Sequence, residues 1–186
     1  LQVIISLLAL QADATENPET RLALEDSQGR IKSMATLHQL LYEHKDFSRV
    51  DLGEYLHQLA RHALSGVASA RIAIEFDLAS LRLDLERAVP CGLLVNELLS
   101  NACKHAFPGE RAGTLRLELH APGDDGLALI VIADDGVGLP PEIRIGKTRS
   151  LGLQLVPLLA EQFGAMLSVN RGPGTRFELR FEAESV

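Results

Sequence analysis

The apolar residues of this chain change their period near residue 70, and that change limits the folds open to it. Before it, Ile31, Met34 and Leu41 recur with His38 among them, and Leu24 lies a heptad earlier. That is the seam of a helix. After it, Ile72, Ile74, Phe76 and Leu78 alternate with polar neighbours, the two-residue period of a half-buried strand. Further strand pairs follow: "GTLRLELHA" and "LALIVIADD" across "PGDDG", then "AMLSVNRG" and "TRFELRFEA" across "GPG". "LRLDLE" is expected to pair with "RIAIEFDL" as a hairpin. Helices are predicted from Asp51–Glu54, a capping box, to about Leu64, from about Pro90 to Phe107, and from about Leu151 to Phe163. Pro90 is expected in a first turn, where proline is tolerated. Pro157 falls inside its helix at a cost of about 3 kcal/mol and predicts a kink or a later start. Helices alternating with antiparallel strand pairs predict an α+β fold, a two-layer α/β sandwich with helices on one sheet face.

The first 46 residues read differently. "LQVIISLLAL" is apolar nearly all round, and "QADATENPET" breaks it with Asn17-Pro18. The run has no basic leader and no small-residue cleavage site, so it does not read as a signal peptide. It stops short of the ~20 residues that span a bilayer, so no membrane segment is expected in this stretch. A buried helix, covered on several sides, remains. Two helices joined by a short turn form an antiparallel hairpin, and a second copy could cover its apolar seams as a dimeric four-helix bundle. A hairpin packed on its own domain is the other arrangement. The expected division is 1–46 for the hairpin and 47–186 for the sandwich.

Composition narrows the chemistry. A formal charge of −7 over 186 residues argues against a duplex-DNA binder, so no nucleic-acid partner is expected. A local basic patch around a nucleotide phosphate remains open. Cys91 and Cys103 share one predicted helix without metal or redox spacing, which suits buried thiols in a reducing, cytoplasmic compartment.

Four short elements carry candidate chemistry. On the helix "CGLLVNELLSNACKHAF", Asn96, Glu97, Ser100, Asn101, Lys104 and His105 share half the circumference. A solvated polar face is the plain explanation, although Asn is a poor choice for an exposed helix interior. Glu97 and Asn101, four apart, could converge on one Mg²⁺, which takes few protein ligands. Next, "VIADDGVGLPPE" puts a carboxylate at a strand end, with Gly136 and Gly138 letting backbone approach a ligand. A carboxylate there can accept from the exocyclic amine of adenine; a glycine turn beside a solvated Asp pair fits equally. In "TRSLGLQLV", Gly152 opens a helix whose N-terminus favours an anion, with Lys147 and Arg149 just before it, or it is an ordinary helix start. In "GPGTRFELRF", Thr175 could reach a base or merely follow a hairpin turn.

Taken in order, Asn-Glu-Leu-x-x-Asn-Ala-x-Lys-His, Asp-x-Gly-x-Gly, the Gly-Leu helix start and Gly-Thr-x-Phe resemble the nucleotide site shared by histidine kinases, gyrase, the Hsp90 chaperones and the MutL repair proteins. The likeness covers roughly residues 90 to 182 and implies the Bergerat-type sandwich. The front of the chain resembles the dimerisation and phosphoacceptor hairpin of bacterial two-component sensor histidine kinases related to the HWE group, in the subgroup without the Trp-x-Glu hallmark. In that family the first helix carries His-Arg-x-Lys-Asn-Asn-Leu-Gln, so the stretch beginning Leu1-Gln2 resembles its truncated remainder. None of the six histidines here sits at the acceptor position.

The resemblance implies ATP and Mg²⁺ as cofactors, a homodimer, and a response-regulator receiver domain as partner. It implies that Asp134 accepts from the adenine amino group and that Gly136 and Gly138 shape the adenine pocket. Asn101 ligates the metal, and Glu97 positions the metal or polarises the attacking imidazole; in gyrase-type ATPases that position is the water-activating base. Lys104 and His105 face the phosphates, and Gly152 lends them backbone N–H groups. Residues Leu139 to Ser150 form a short ATP lid. The rival readings are a gyrase- or MutL-like ATPase and an ATP-binding dimer scaffold without transfer activity.

Overall fold

A computed structural model describes residues 2–42, 49–64, 71–109, 111–148 and 151–183, excepting the side chains of 26, 32–34, 36–42 and 62–64. The chain divides into two compact units, 1–45 and 46–186.

The first unit is a helical hairpin, α1 (Gln2–Ala14) against α2 (Pro18–Tyr42). The break at Asn17-Pro18 works as a helix start. The Asn17 side chain accepts from the Glu19 and Thr20 N–H groups at 2.9 and 3.2 Å, and Pro18 takes the first helical position, where no N–H is needed. Gln28 on α2 donates to the Ile5 carbonyl of α1 at 3.3 Å. The expectation that α1 is buried does not hold in the single chain. Val3, Leu7 and Leu10 are more than half exposed, and only Ala12 is buried. One hairpin partner covers one side of a helix, and α1 is apolar on more than one. The seam residues Met34, His38 and Leu41 have side chains outside the described set. Gly29 sits inside α2 with open space where a Cβ would go. Gly29→Ala should therefore stabilise the hairpin by about 1 kcal/mol, read as higher melting and helicity of this unit.

The second unit begins with β1 (Arg49–Asp51) and α3 (Leu52–Leu64). Asp51 caps α3 by accepting the Glu54 N–H at 3.0 Å, as the capping box predicts. Then come β2 (Ile72–Leu78), β3 (Arg82–Asp84), α4 (Leu85–His105), β4 (Gly113–His120), β5 (Leu127–Asp134), α5 (Leu151–Phe163), β6 (Ala165–Gly172) and β7 (Gly174–Glu182). Five strands form one mixed sheet in the order β2-β4-β5-β7-β6, with only β2 and β4 parallel. That parallel pair needs a crossover, which α4 supplies. Leu115, Leu117, Leu119, Ile130, Ile132, Phe177, Leu179 and Phe181 face the helices and are buried. The opposite face carries ion pairs such as Arg116–Glu75 at 2.7 Å and Arg176–Glu178 at 2.9 Å. The core is therefore one layer between sheet and helices.

Two local expectations are corrected, and the expected bounds of α5 hold. "LRLDLE" does not form a hairpin with β2. Its three-residue strand β3 pairs antiparallel with β1, drawn there by the Leu52 N–H to Leu81 carbonyl bond and by Ser80 donating to Asp51, while β2 is occupied by β4. Helix α4 starts at Leu85, so Pro90 lies inside it and forfeits the bond to the carbonyl of exposed Glu86. Helix α5 does start at Leu151 despite Pro157. The carbonyl that Pro157 leaves without its helical donor, that of Leu153, accepts the Gly146 N–H at 2.9 Å instead. Among the described residues no helix is long and apolar enough to cross a membrane.

Candidate functional site

The polar stripe of α4 is not a solvated face. Asn96 and Glu97 are buried, at 7% and 8% exposure, Ser100 and Asn101 are half-buried, and only Lys104 and His105 lie open. Buried polar groups are costly unless something answers them. Glu97 and Lys104 are each engaged within the fold. The Asn101 amide nitrogen is buried without a hydrogen-bond acceptor in the fold.

The end of α4 is bonded to the turn that follows β5. The Val137 N–H donates to the Ala106 carbonyl at 2.9 Å. Gly136 is pressed so closely on Ala106 that a Cβ there would overlap its carbonyl. Gly138 lies against the carbonyls of Gly172 and Gly174, so the β6–β7 turn closes on the same spot.

Asp134 stands at the centre of this junction. Its Oδ1 accepts the N–H groups of Gly136 at 2.9 Å and Thr175 at 3.2 Å, and the Thr175 hydroxyl also bonds the carboxylate. Partial burial raises its pKa above the usual carboxylate value, against the lowering effect of the bonds from Gly136 and Thr175. A half-buried carboxylate with its orientation fixed has lone pairs left over that can accept further hydrogen bonds. Thr175 is buried and turned onto that carboxylate, so it also orients Asp134. The neighbouring Asp135 is spent on the fold: its Oδ1 accepts the Thr114 N–H at 2.7 Å, and its carbonyl accepts from Arg111 at 2.8 Å.

Gly152 is buried at the start of α5, which packs along α4, and Lys147 lies exposed just before it. Arg149 lies outside the described residues. Among the described residues no cluster of three His, Cys, Asp or Glu side chains could hold a metal, so Glu97 and Asn101 would have to share a cation with ligand oxygens. Burial raises Cys91 out of the usual thiol range and pushes Cys103 up to about 11, which leaves both thiols protonated and unreactive near neutrality. Sequence reasoning missed Arg171, whose carbonyl partners lie about thirty positions back along the chain, and Gly146, whose N–H bonds the Leu153 carbonyl. Gly174 stood in the Gly-Thr-x-Phe motif, but its close approach to the Asp134 carbonyl could not be read there.

Comparison with known proteins bears on this junction. Residues 87–185 match the model of the histidine kinase-, DNA gyrase B-, and HSP90-like ATPase family, more than half of the chain. The chain belongs to that family. Residues 1–67 match a histidine kinase model, so the ATPase domain stands behind a histidine kinase segment. The sensor histidine kinase PdtaS of Mycobacterium tuberculosis is 37% identical over 166 residues, covering 86% of this chain and 32% of that protein. Blue-light-activated histidine kinase 2 of Erythrobacter litoralis is 26% identical over 182 residues, 92% of this chain and 50% of that one. The chain thus spans about a third of the length of PdtaS. The solved histidine kinase domain of the Erythrobacter litoralis EL346 blue-light activated kinase shares the fold, with a TM-score of 0.77 at 23% identity over 98% of this chain and 96% of that one. The mycobacterial sensor kinase MprB matches at a TM-score of 0.61 and 23% identity, over 74% of this chain and 99% of that one. An ATPase domain of this family implies ATP binding.

Proposed function

We propose that the chain is the catalytic part of a sensor histidine kinase, binding Mg·ATP between α4 and the β5 turn and passing the γ-phosphate to a histidine. The observation that carries this reading is the oriented Asp134 carboxylate facing a turn cleared of side chains by Gly136, Gly138 and Gly174. The adenine amine donates to Asp134. The triphosphate runs toward Lys104, His105, Lys147 and the backbone N–H groups at Gly152. Asn101 and Glu97 would hold Mg²⁺ through their side-chain oxygens, and Asn101 Nδ2, which has no acceptor within the fold, would donate to a phosphate oxygen. Bound Mg²⁺ would neutralise charge on the phosphates.

The imidazole nitrogen attacks the γ-phosphorus as the bond to the bridging oxygen of ADP breaks. Such a transfer needs positioning and charge neutralisation more than covalent help. The acceptor is the histidine that the family carries ahead of the Leu-Gln pair, in a cytoplasmic homodimer whose α1 faces are covered by a second copy. The exposed Val3, Leu7 and Leu10 support that dimer. An Asp of a response-regulator receiver domain takes the phosphate next.

The test is γ-phosphate labelling from ATP, with this chain compared to one extended upstream by its native residues. Label only on the extended chain, stable to base and lost in acid, is the expected result. ATP consumed with neither chain labelled would reverse the reading, making Glu97 the base of a gyrase-like ATPase. ATP bound but neither consumed nor transferred would leave a scaffold.

A further inference from the structure

The segment 140–148, between β5 and α5, is held by bonds to its main chain. At its start, the Arg171 guanidinium at the end of β6 donates to three carbonyls: Pro140 at 3.0 Å, Pro141 at 3.1 Å and Ile143 at 2.7 Å. Inside the segment, the Ile143 N–H bonds the Pro140 carbonyl at 3.1 Å, and the Lys147 N–H bonds that of Arg144 at 2.9 Å. At its far end, the Gly146 N–H takes the Leu153 carbonyl, and the Gln154 side chain donates to the Thr148 carbonyl at 2.5 Å. Gly146 has a φ of +80°, and a Cβ there would come within 3.1 Å of the Pro157 ring.

The Leu153 carbonyl is available because of Pro157. In a continuous helix it would accept the N–H of residue 157, and proline has none. The helix defect and the loop anchor are therefore one feature. Arg171 suits the other end because a planar guanidinium offers five donors in a rigid fork, enough to reach three carbonyls at once.

We propose that Arg171 and the Leu153 carbonyl freed by Pro157 latch residues 140–148 into a preformed lid, so that Lys147 is already set when a nucleotide arrives. Arg171 is a positioning residue: it acts on the lid backbone, and the lid acts on the phosphates. This rests on the ATP reading. A lid ordered before binding loses less freedom on closing, so the latch strengthens nucleotide binding without touching the ligand.

The test is amide exchange in the nucleotide-free protein, together with the release rate of a fluorescent ADP. In Arg171→Ala, the Ile143 and Lys147 amides should exchange roughly tenfold faster or more, while those of β7 stay protected, and ADP should leave about tenfold sooner. Arg171→Lys should behave like the alanine variant, since one ammonium cannot hold three carbonyls. Pro157→Ala should move two readouts in opposite directions. Its new N–H competes for the Leu153 carbonyl, so α5 melts higher while the Gly146 amide loses protection and ADP leaves faster. A purely structural proline would shift stability alone. ADP bound by the parent and released at the same rate by Arg171→Ala would overturn the latch. A parent that binds no ADP would overturn the nucleotide reading beneath it, and the two failures are told apart by that first measurement.

Discussion

Asp134→Asn should lower ATP affinity by a factor of about 100 while the nucleotide-free fold melts no lower than the parent. The two halves of this result have one cause. Oδ1 of Asp134 holds the Gly136 and Thr175 N–H groups, and the Asn oxygen can keep both bonds. The second oxygen becomes an NH₂, which meets the adenine amine donor to donor. Burial raises the Asp134 pKa, so its ionised form opposes folding. That opposition is fully present above the raised folded value and disappears as pH falls below the unfolded one. Asn carries no charge and removes it. ATP binding by the parent should likewise weaken as pH falls through the raised Asp134 value, because a protonated carboxyl no longer offers the same acceptor. Calorimetric titration and melting of both proteins decide the matter. Equal ATP affinity would remove Asp134 from the adenine site, and a much lower melting temperature would make it a structural residue.

Much of the fold could be read from the sequence because its elements carry opposite periods. Ile72 to Leu78 alternates, the hairpin turns hold glycine, and Asp51 with Glu54 marks a helix start. The pairing of β1 with β3 could not be read, because three-residue strands are too short to show a period. Pro90 misled for a related reason: proline reads as a boundary, yet "LERAV" before it is helix-forming and the helix begins at Leu85, five residues earlier. In the site, the motifs stand in legible order, but adjacent Asp134 and Asp135 are alike in sequence. Only the strand pairing of Asp134 with Thr175 sends one carboxylate to the junction and the other to the Thr114 N–H. Burial of Asn96 and Glu97 was equally hidden, since a helical wheel shows which residues share a face and not what covers it. Arg171 reaches carbonyls about thirty positions away, and no local pattern announces that.

Glycine gives the second large effect, and it depends on place. At Gly29 an added methyl meets nothing. At Gly174 the same methyl would sit on the Asp134 carbonyl, with φ at +84°. Backbone cannot rotate away as a side chain can, so Gly174→Ala must either strain the β6–β7 turn or separate β7 from β5 where Thr175 faces Asp134. The left-handed conformation and the overlap together should cost about 2–4 kcal/mol. For a unit of this size that lowers its melting temperature by roughly 5–10 °C. Any separation of the strands also carries the Thr175 N–H away from the carboxylate, so ATP affinity should fall roughly tenfold or more beyond what the lost stability explains. Melting curves and ATP titration at a temperature where the variant is still folded separate the two effects. A Gly174→Ala protein that melts with the parent would show that the turn has room to yield. One that melts low but binds ATP normally would show that the orientation of Asp134 does not depend on this turn. Loss of both is expected, because one backbone atom of Asp134 supports the strand while its side chain serves the site.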